Sequence, residues 1–224
     1  MIEGDLLPME ILVYDDASSD STQKIVKTLC SEYDSIKLFI ATENKGAGNA
    51  RRFLISKASG YYIAFLDADD TWNRDKLSCQ IELCRKYDLD LVTSGYRIVE
   101  NEKDIGIRLP SRNLNYQKMH IANFLPMSFT MYKRKLICSN EMPLLRLRQD
   151  YAFWLRLYKL NRKLKYMGIY RIHGAYHRSS SNISKSKFKN SHANYIMFRQ
   201  EMQYSVVFSS LFTLMNIVIR LFRT

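Results

Sequence analysis

Apolar residues along the first hundred positions fall into short runs separated by longer stretches with helical spacing. "MEILVYDD" is short and β-branched and reads as a buried strand ending at Asp15 and Asp16. "DSTQKIVKTLCSEY" predicts a helix. Asp20 stands three residues before Gln23, a capping-box spacing, and Ile25, Val26 and Leu29 share one face. "SIKLFIA" (35–41) predicts a second strand, "NKGAGNARRFLISKASG" (44–60) a loop and helix, and "YYIAFLD" (61–67) a third strand. A helix over 73–87 and a strand over 89–99 follow, then a less regular region to about Met142. Strands alternating with helices predict an α/β fold, with a mainly parallel central sheet covered by helices on both faces.

The tail has another pattern. No charge occurs from Tyr204 to Ile219, while Ser205, Ser209, Thr213, Asn216, Arg220 and Arg223 recur at steps of three or four. This predicts an amphipathic helix with one narrow polar stripe, shorter than the ~20 apolar residues needed to span a bilayer.

A chain of 224 residues with 46% hydrophobic residues can bury a full core as one domain with a small C-terminal addition. Cys30, Cys79, Cys84 and Cys138 show no metal-site spacing. The opening "MIEGDLLPME" has no basic and apolar leader, so the expectation is a cytoplasmic protein with reduced thiols. The net charge of +12 suits a nucleotide, a nucleic acid or an anionic membrane. Acids gather near the front and basic residues in the second half, which suggests an acidic metal centre facing groups that receive phosphates. No recognition motif or aromatic-basic platform supports nucleic-acid binding, and none is expected.

"YYIAFLDADDTW" (61–72) carries the chemistry. Asp67, Asp69 and Asp70 follow an apolar strand directly, and adjacent carboxylates repel unless a cation or hydrogen-bond donors compensate them. Asp67 and Asp69 at a strand end suit a hard divalent ion, Mn²⁺ or Mg²⁺, whose shell is completed by water and substrate phosphates. A simple helix cap would need only one Asp. In open α/β sheets ligands bind beyond the carboxyl ends of strands, where Asp15, Asp16, Asp67 and Asp69 all fall. "FLDADDT" also matches the haloacid-dehalogenase-like phosphatases, which would make Asp67 a nucleophile. That reading needs a later lysine and a distal acidic pair for the metal, and Asp150, the distal aspartate in "RQDY", stands single.

"EILVYDDASSDST", "NKGAGNARRFLISKASGYYIAFLDADD" and "RQDYAFWLRL" resemble, in order and spacing, motifs of the family 2 glycosyltransferases of GT-A fold. The resemblance covers about residues 8–180. It implies residues 1–182 as a GT-A domain and 183–224 as a basic, amphipathic helical extension. By similarity, Asp15 contacts the nucleotide base, Asp16 supports the strand end, Arg51 approaches the base or phosphates, and Asp67 holds the ribose side. Asp69 holds the metal, Asp70 fixes the loop, and Asp150 is the general base on the acceptor hydroxyl. His173 matches a histidine near the diphosphate and metal. A helix N-cap is the plain alternative for Asp150, and a structural histidine for His173. Trp154 reads as core or as an acceptor-sugar wall. Arg178, Ser180 and the serine-rich loop read as a cover for the phosphates or as a surface loop.

The family usually begins with a further strand and helix ahead of the "DD" strand, so the expectation is an N-terminally truncated form whose central sheet lacks its first strand. The implied function is metal-dependent, inverting transfer from a nucleoside diphosphate sugar, a UDP-sugar, to a saccharide or lipid-linked acceptor. Its setting would be surface polysaccharide or lipopolysaccharide synthesis at the inner face of the cell membrane. An inactive truncated transferase serving as a binding partner is the other alternative. The tail helix is left between peripheral membrane contact, core packing and a homodimer interface.

Overall fold

The computed structural model describes residues 9–138, 141–178 and 187–222, the side chains of 187, 188 and 220–222 excepted. The expected boundary at 182/183, Ser180 and the first eight residues lie outside them.

Among the described residues, eight strands and seven α-helices alternate through the first half and then diverge. β1 (Ile11–Asp15), α1 (Thr22–Glu32), β2 (Ile36–Ile40), α2 (Ala47–Lys57), β3 (Tyr62–Ala64), β4 (Thr71–Trp72), α3 (Lys76–Tyr87) and β5 (Leu91–Glu100) follow the expected order except for the short β4, which the sequence did not predict. The stretch expected to be irregular holds β6 (Lys103–Arg108), the short α4 (Tyr116–Met119) and β7 (Thr130–Lys133). α5 (Gln149–Leu160), β8 (Tyr166–Arg178), α6 (Lys187–Ile196), a π turn (Met197–Glu201) and α7 (Val206–Phe222) complete the chain.

The expected mainly parallel sheet is a mixed one. β1 and β2 form a separate parallel pair, and the larger sheet runs β3-β7-β5-β8-β4 with β6 on β5. β3, β5 and β8 share one direction; β7 enters antiparallel between β3 and β5, and β4 is antiparallel on β8. The reason lies in residues 101–142, where no long crossover helix forms; a parallel return requires a dozen or more connecting residues, usually helical. Strand alternation then covers both faces. Leu91 and Tyr132 join the core around α5, whereas Val92 and Met131, one residue along, pack with Cys84 of α3.

α5 is buried nearly all round: Tyr151, Ala152, Phe153, Trp154, Leu155, Leu157 and Tyr158 all lie inside. Trp154, wholly buried and packed edge-on against Tyr132 and Phe153, is core rather than a sugar wall. Truncating such a side chain costs ~3–5 kcal/mol, so α5 is the rigid element on which Asp150 stands. The front is looser. α1 buries no residue, and Ile25 and Leu29 on its apolar face are exposed. Phe53 of α2 anchors the small sheet through Tyr14 and Phe39. Glu10 joins it to the approach of β3 by accepting from the Ser59 and Gly60 amides.

Candidate active site

The tips of β1 and β3 are built differently. β1 delivers Asp15 into the interior, where Oδ2 accepts from the Ser18 amide and from Gln23 Nε2 at 2.8 Å. Hydrogen bonding from Ser18, with Gln23 adding to it, holds this carboxyl below its usual range against the opposing effect of burial. Its Oδ1 is buried with no partner among the described residues. The expected capping box therefore does not form: Gln23 turns to Asp15, and Asp20 accepts from the Thr22 amide instead. Asp16 accepts from the amides of Lys45 and Gly46 at 2.8 and 2.7 Å. Gly46, at φ 83°, supplies the left-handed turn that aims the loop at it before α2 begins.

At the tip of β3, Asp67 pairs with Arg51 of α2. Asp69 is exposed and makes no hydrogen bond or ion pair among the described residues. Asp70 turns inward, accepting from Ser128 Oγ and, at 3.1 Å, from the His177 amide of β8. Burial, with Asp67 and Asp69 nearby, pushes its carboxyl up to about 6 despite the Ser128 and His177 hydrogen bonds. Asp70 thus fixes the loop, the role the resemblance implies. Ser128 is the hub: its Oγ also accepts from the Asp67 amide, and its carbonyl accepts from Trp72 Nε1. Nothing in "PMSFT" signals this, because its partners, Asp67, Asp70 and Trp72, come from a single segment more than fifty residues away in sequence.

Asp150 lies in the first turn of α5, where the helix dipole favours a carboxylate. Its Oδ2 accepts from Asn123 Nδ2 at 2.8 Å, a partner the sequence did not reveal. The cap is Arg148, in the left-handed region at φ 63°, so Asp150 is not the N-cap. The helix starts meet at Gly48: a Cβ there would lie 2.4 Å from Gln149 Oε1 and 2.8 Å from the Pro143 carbonyl. One turn further along α2, Arg51 reaches Asp67.

His173 is not brought to this cluster. It is buried in β8 with both ring nitrogens unpartnered among the described residues, and its charged surroundings are Asp75, Arg171 and Lys76. Burial pushes its pKa down and keeps the ring neutral. Its carbonyl instead accepts from the Asn73 amide, fixing the segment after β4. His177, four residues on, donates its amide to Asp70 and places Nε2 3.5 Å from Thr71 Oγ1. The two residues lie on the same strand, on either side of Gly174 and Ala175, which pair with β4.

Asp69 offers an open oxygen donor, which fits a hard cation completed by phosphate oxygens and water; no group of three ligating side chains stands ready among the described residues.

This arrangement of acid-tipped strands and a carboxylate at a buried helix start is that of a GT-A transferase. The chain belongs to glycosyl transferase family 2, whose model matches residues 2–141. It is 33% identical over 180 residues to the UDP-Glc:alpha-D-GlcNAc-diphosphoundecaprenol beta-1,3-glucosyltransferase WfgD of Escherichia coli, 80% of this chain and 70% of that one. Among solved structures, TarS of S. aureus in complex with UDP-GlcNAc superposes with a TM-score of 0.68 at 17% identity, over 92% of this chain and 62% of that chain. The mannosyltransferase PcManGT of Pyrobaculum calidifontis, in complex with GDP-Man and Mn²⁺, gives 0.63 at 14% identity, over 94% and 64%. This chain therefore spans under two thirds of the length of these solved structures. The family assignment removes the phosphatase alternative.

Proposed function

We propose that the protein transfers a sugar, with inversion, from a UDP-sugar to a hydroxyl of a saccharide carried on a lipid diphosphate, at the inner face of the membrane during surface-polysaccharide assembly. The observation that carries this reading is α2, which touches Gln149 beside the proposed base through Gly48 and pairs with the donor-side acid Asp67 through Arg51. One short helix thereby sets the distance between the two halves of the reaction. The acceptor and donor classes are those named for WfgD.

Asp15 would receive a base N–H on its unpartnered Oδ1, which otherwise leaves a buried acceptor unmet at a cost of ~1–3 kcal/mol. Arg51, held by Asp67, would face the phosphates or base with its remaining donors. Asp69 would hold a divalent ion, with His177, whose amide bonds Asp70, as a candidate partner. When bound, that ion supplies positive charge against the departing diphosphate. Asp150 takes the proton of the attacking hydroxyl; Asn123 occupies Oδ2 and leaves Oδ1 for the acceptor. The mannosyltransferase bound to Mn²⁺ supports the metal by analogy of fold.

The test is calorimetric titration of UDP and GDP with and without Mn²⁺. UDP binding that requires Mn²⁺ and disappears in Asp69→Ala is expected; binding indifferent to both metal and Asp69 would overturn the proposed site.

A further inference from the structure

α7 is inverted relative to an ordinary surface helix. Its polar stripe faces the protein: Ser209 is 0% exposed, Thr213 Oγ1 donates to the Ser209 carbonyl, and Asn216 Nδ2 donates to the His120 carbonyl at 2.9 Å. Asn216 also stands 3.4 Å from the Tyr151 hydroxyl, one residue from Asp150. Phe212 packs on the same side against His120 and Phe198. The opposite face presents Val207, Phe208, Leu211, Leu214 and Val218 to solvent, with Val207 74% and Leu214 58% exposed. A helix that turns Ser209, Thr213 and Asn216 inward while exposing its aliphatic face presents an apolar patch suited to an apolar environment outside the domain.

Charge identifies that environment. After Asp150 the chain carries thirteen Lys and Arg and a single acid, Glu201; Arg156 pairs with Glu201, Lys165 with Asp88 and Arg171 with Asp75. The uncharged run ends in sequence on Arg220 and Arg223. Arg199 donates to the Tyr204 carbonyl just ahead of α7, and Arg162 lies over the ring of Tyr116, whose hydroxyl bonds Tyr204. Two copies meeting through α7 would bring two such basic regions together, whereas an anionic bilayer complements both them and the apolar face. No helix among the described residues is long and apolar enough to cross a membrane, so α7 lies on the surface rather than spanning it.

We propose that α7 is a docking element for an anionic lipid bilayer, its exposed aliphatic face in the interface and its polar stripe fastened to the start of α5. This goes beyond the transfer reaction and rests on that reading only for its consequence. Because Asn216 contacts the His120 segment that leads to Asn123, the bilayer lies against the element that holds Asp150, where a lipid-linked acceptor would arrive.

The experiment is flotation of the full chain with vesicles of phosphatidylglycerol and phosphatidylcholine, against phosphatidylcholine alone, in low and high salt. The comparison variant is Val207→Ser/Leu211→Ser/Leu214→Ser, three exposed positions whose change leaves the core intact. Binding to anionic vesicles, weakened by salt and reduced at least ~100-fold in the variant, is the expected result. Equal binding of variant and parent would overturn the proposal. So would a soluble dimer that ignores vesicles and dissociates in the variant, which would assign the face to a second copy. Flotation needs no turnover, so vesicle binding without sugar transfer would count against the proposed reaction and not against this surface.

Discussion

Gly48 and Gln149 approach so closely that no side chain fits between them: a Cβ on Gly48 would lie 2.4 Å from Gln149 Oε1 and 2.8 Å from the Pro143 carbonyl. The side-chain oxygen can move, but the carbonyl belongs to the backbone. Gly48→Ala therefore pushes α2 away from α5, with an expected loss of ~1–3 kcal/mol in stability. Because Arg51 moves with α2, transfer should fall more than stability alone predicts. Denaturant unfolding alongside initial rates would separate the two effects.

Asp150→Asn keeps the shape and the Asn123 contact region but removes the proton acceptor. Turnover should fall ~10²–10⁴-fold while nucleotide affinity stays within about twofold. Asn123→Ala should cost less, because it frees the carboxylate without removing it. A variant of Asp150 with parental turnover would exclude it as the base.

The two histidines should separate cleanly. His177→Ala is expected to raise the Mn²⁺ concentration needed for nucleotide binding, since it stands beside Asp70 and Thr71. His173→Leu should leave metal dependence unchanged, because its buried ring is directed among Asp75, Arg171 and Lys76. Titration of each variant with Mn²⁺ at fixed UDP reads the difference. Chelation with EDTA should abolish binding in the parent and in His173→Leu alike.

Lys76 is fully buried, its Nζ donating to Gln80 and lying 3.8 Å from the Trp72 ring. Burial pushes its pKa down to about 7. Between that value and the ordinary lysine pKa of ~10.4, the unfolded chain binds the extra proton, so this group makes stability rise with pH across that window. Below about pH 7 both states are protonated and the penalty is constant. Lys76→Met should remove the penalty, raising Tm by a few degrees at pH 7 and flattening the rise to pH 9.5. Thermal melts at those two pH values check the sign.

Much of this protein is determined by its sequence alone. Local hydrophobic runs placed β1, α1, β2, α2, α3 and β5, because each is set by periodicity within about a dozen residues. The ordered motifs around Asp15, Asp67 and Asp150 determined the family. The amphipathic pattern of 204–219 determined a helix, since Ser, Thr and Asn at steps of three or four stripe one side of it.

What the tertiary structure decided are relationships across long separations. The antiparallel entry of β7 between β3 and β5 depends on pairing partners that no local pattern names. Ser128 and Asn123 acquire their roles only when Asp70 and Asp150 fold against them. The sequence singled out His173, but the tertiary structure buries its ring and instead sets the His177 amide on Asp70. The direction of α7 is the same kind of decision. A stripe of hydroxyls and an amide satisfies itself equally in water or against buried carbonyls. The Asn216 contact with His120 turned it inward and left the apolar face outside.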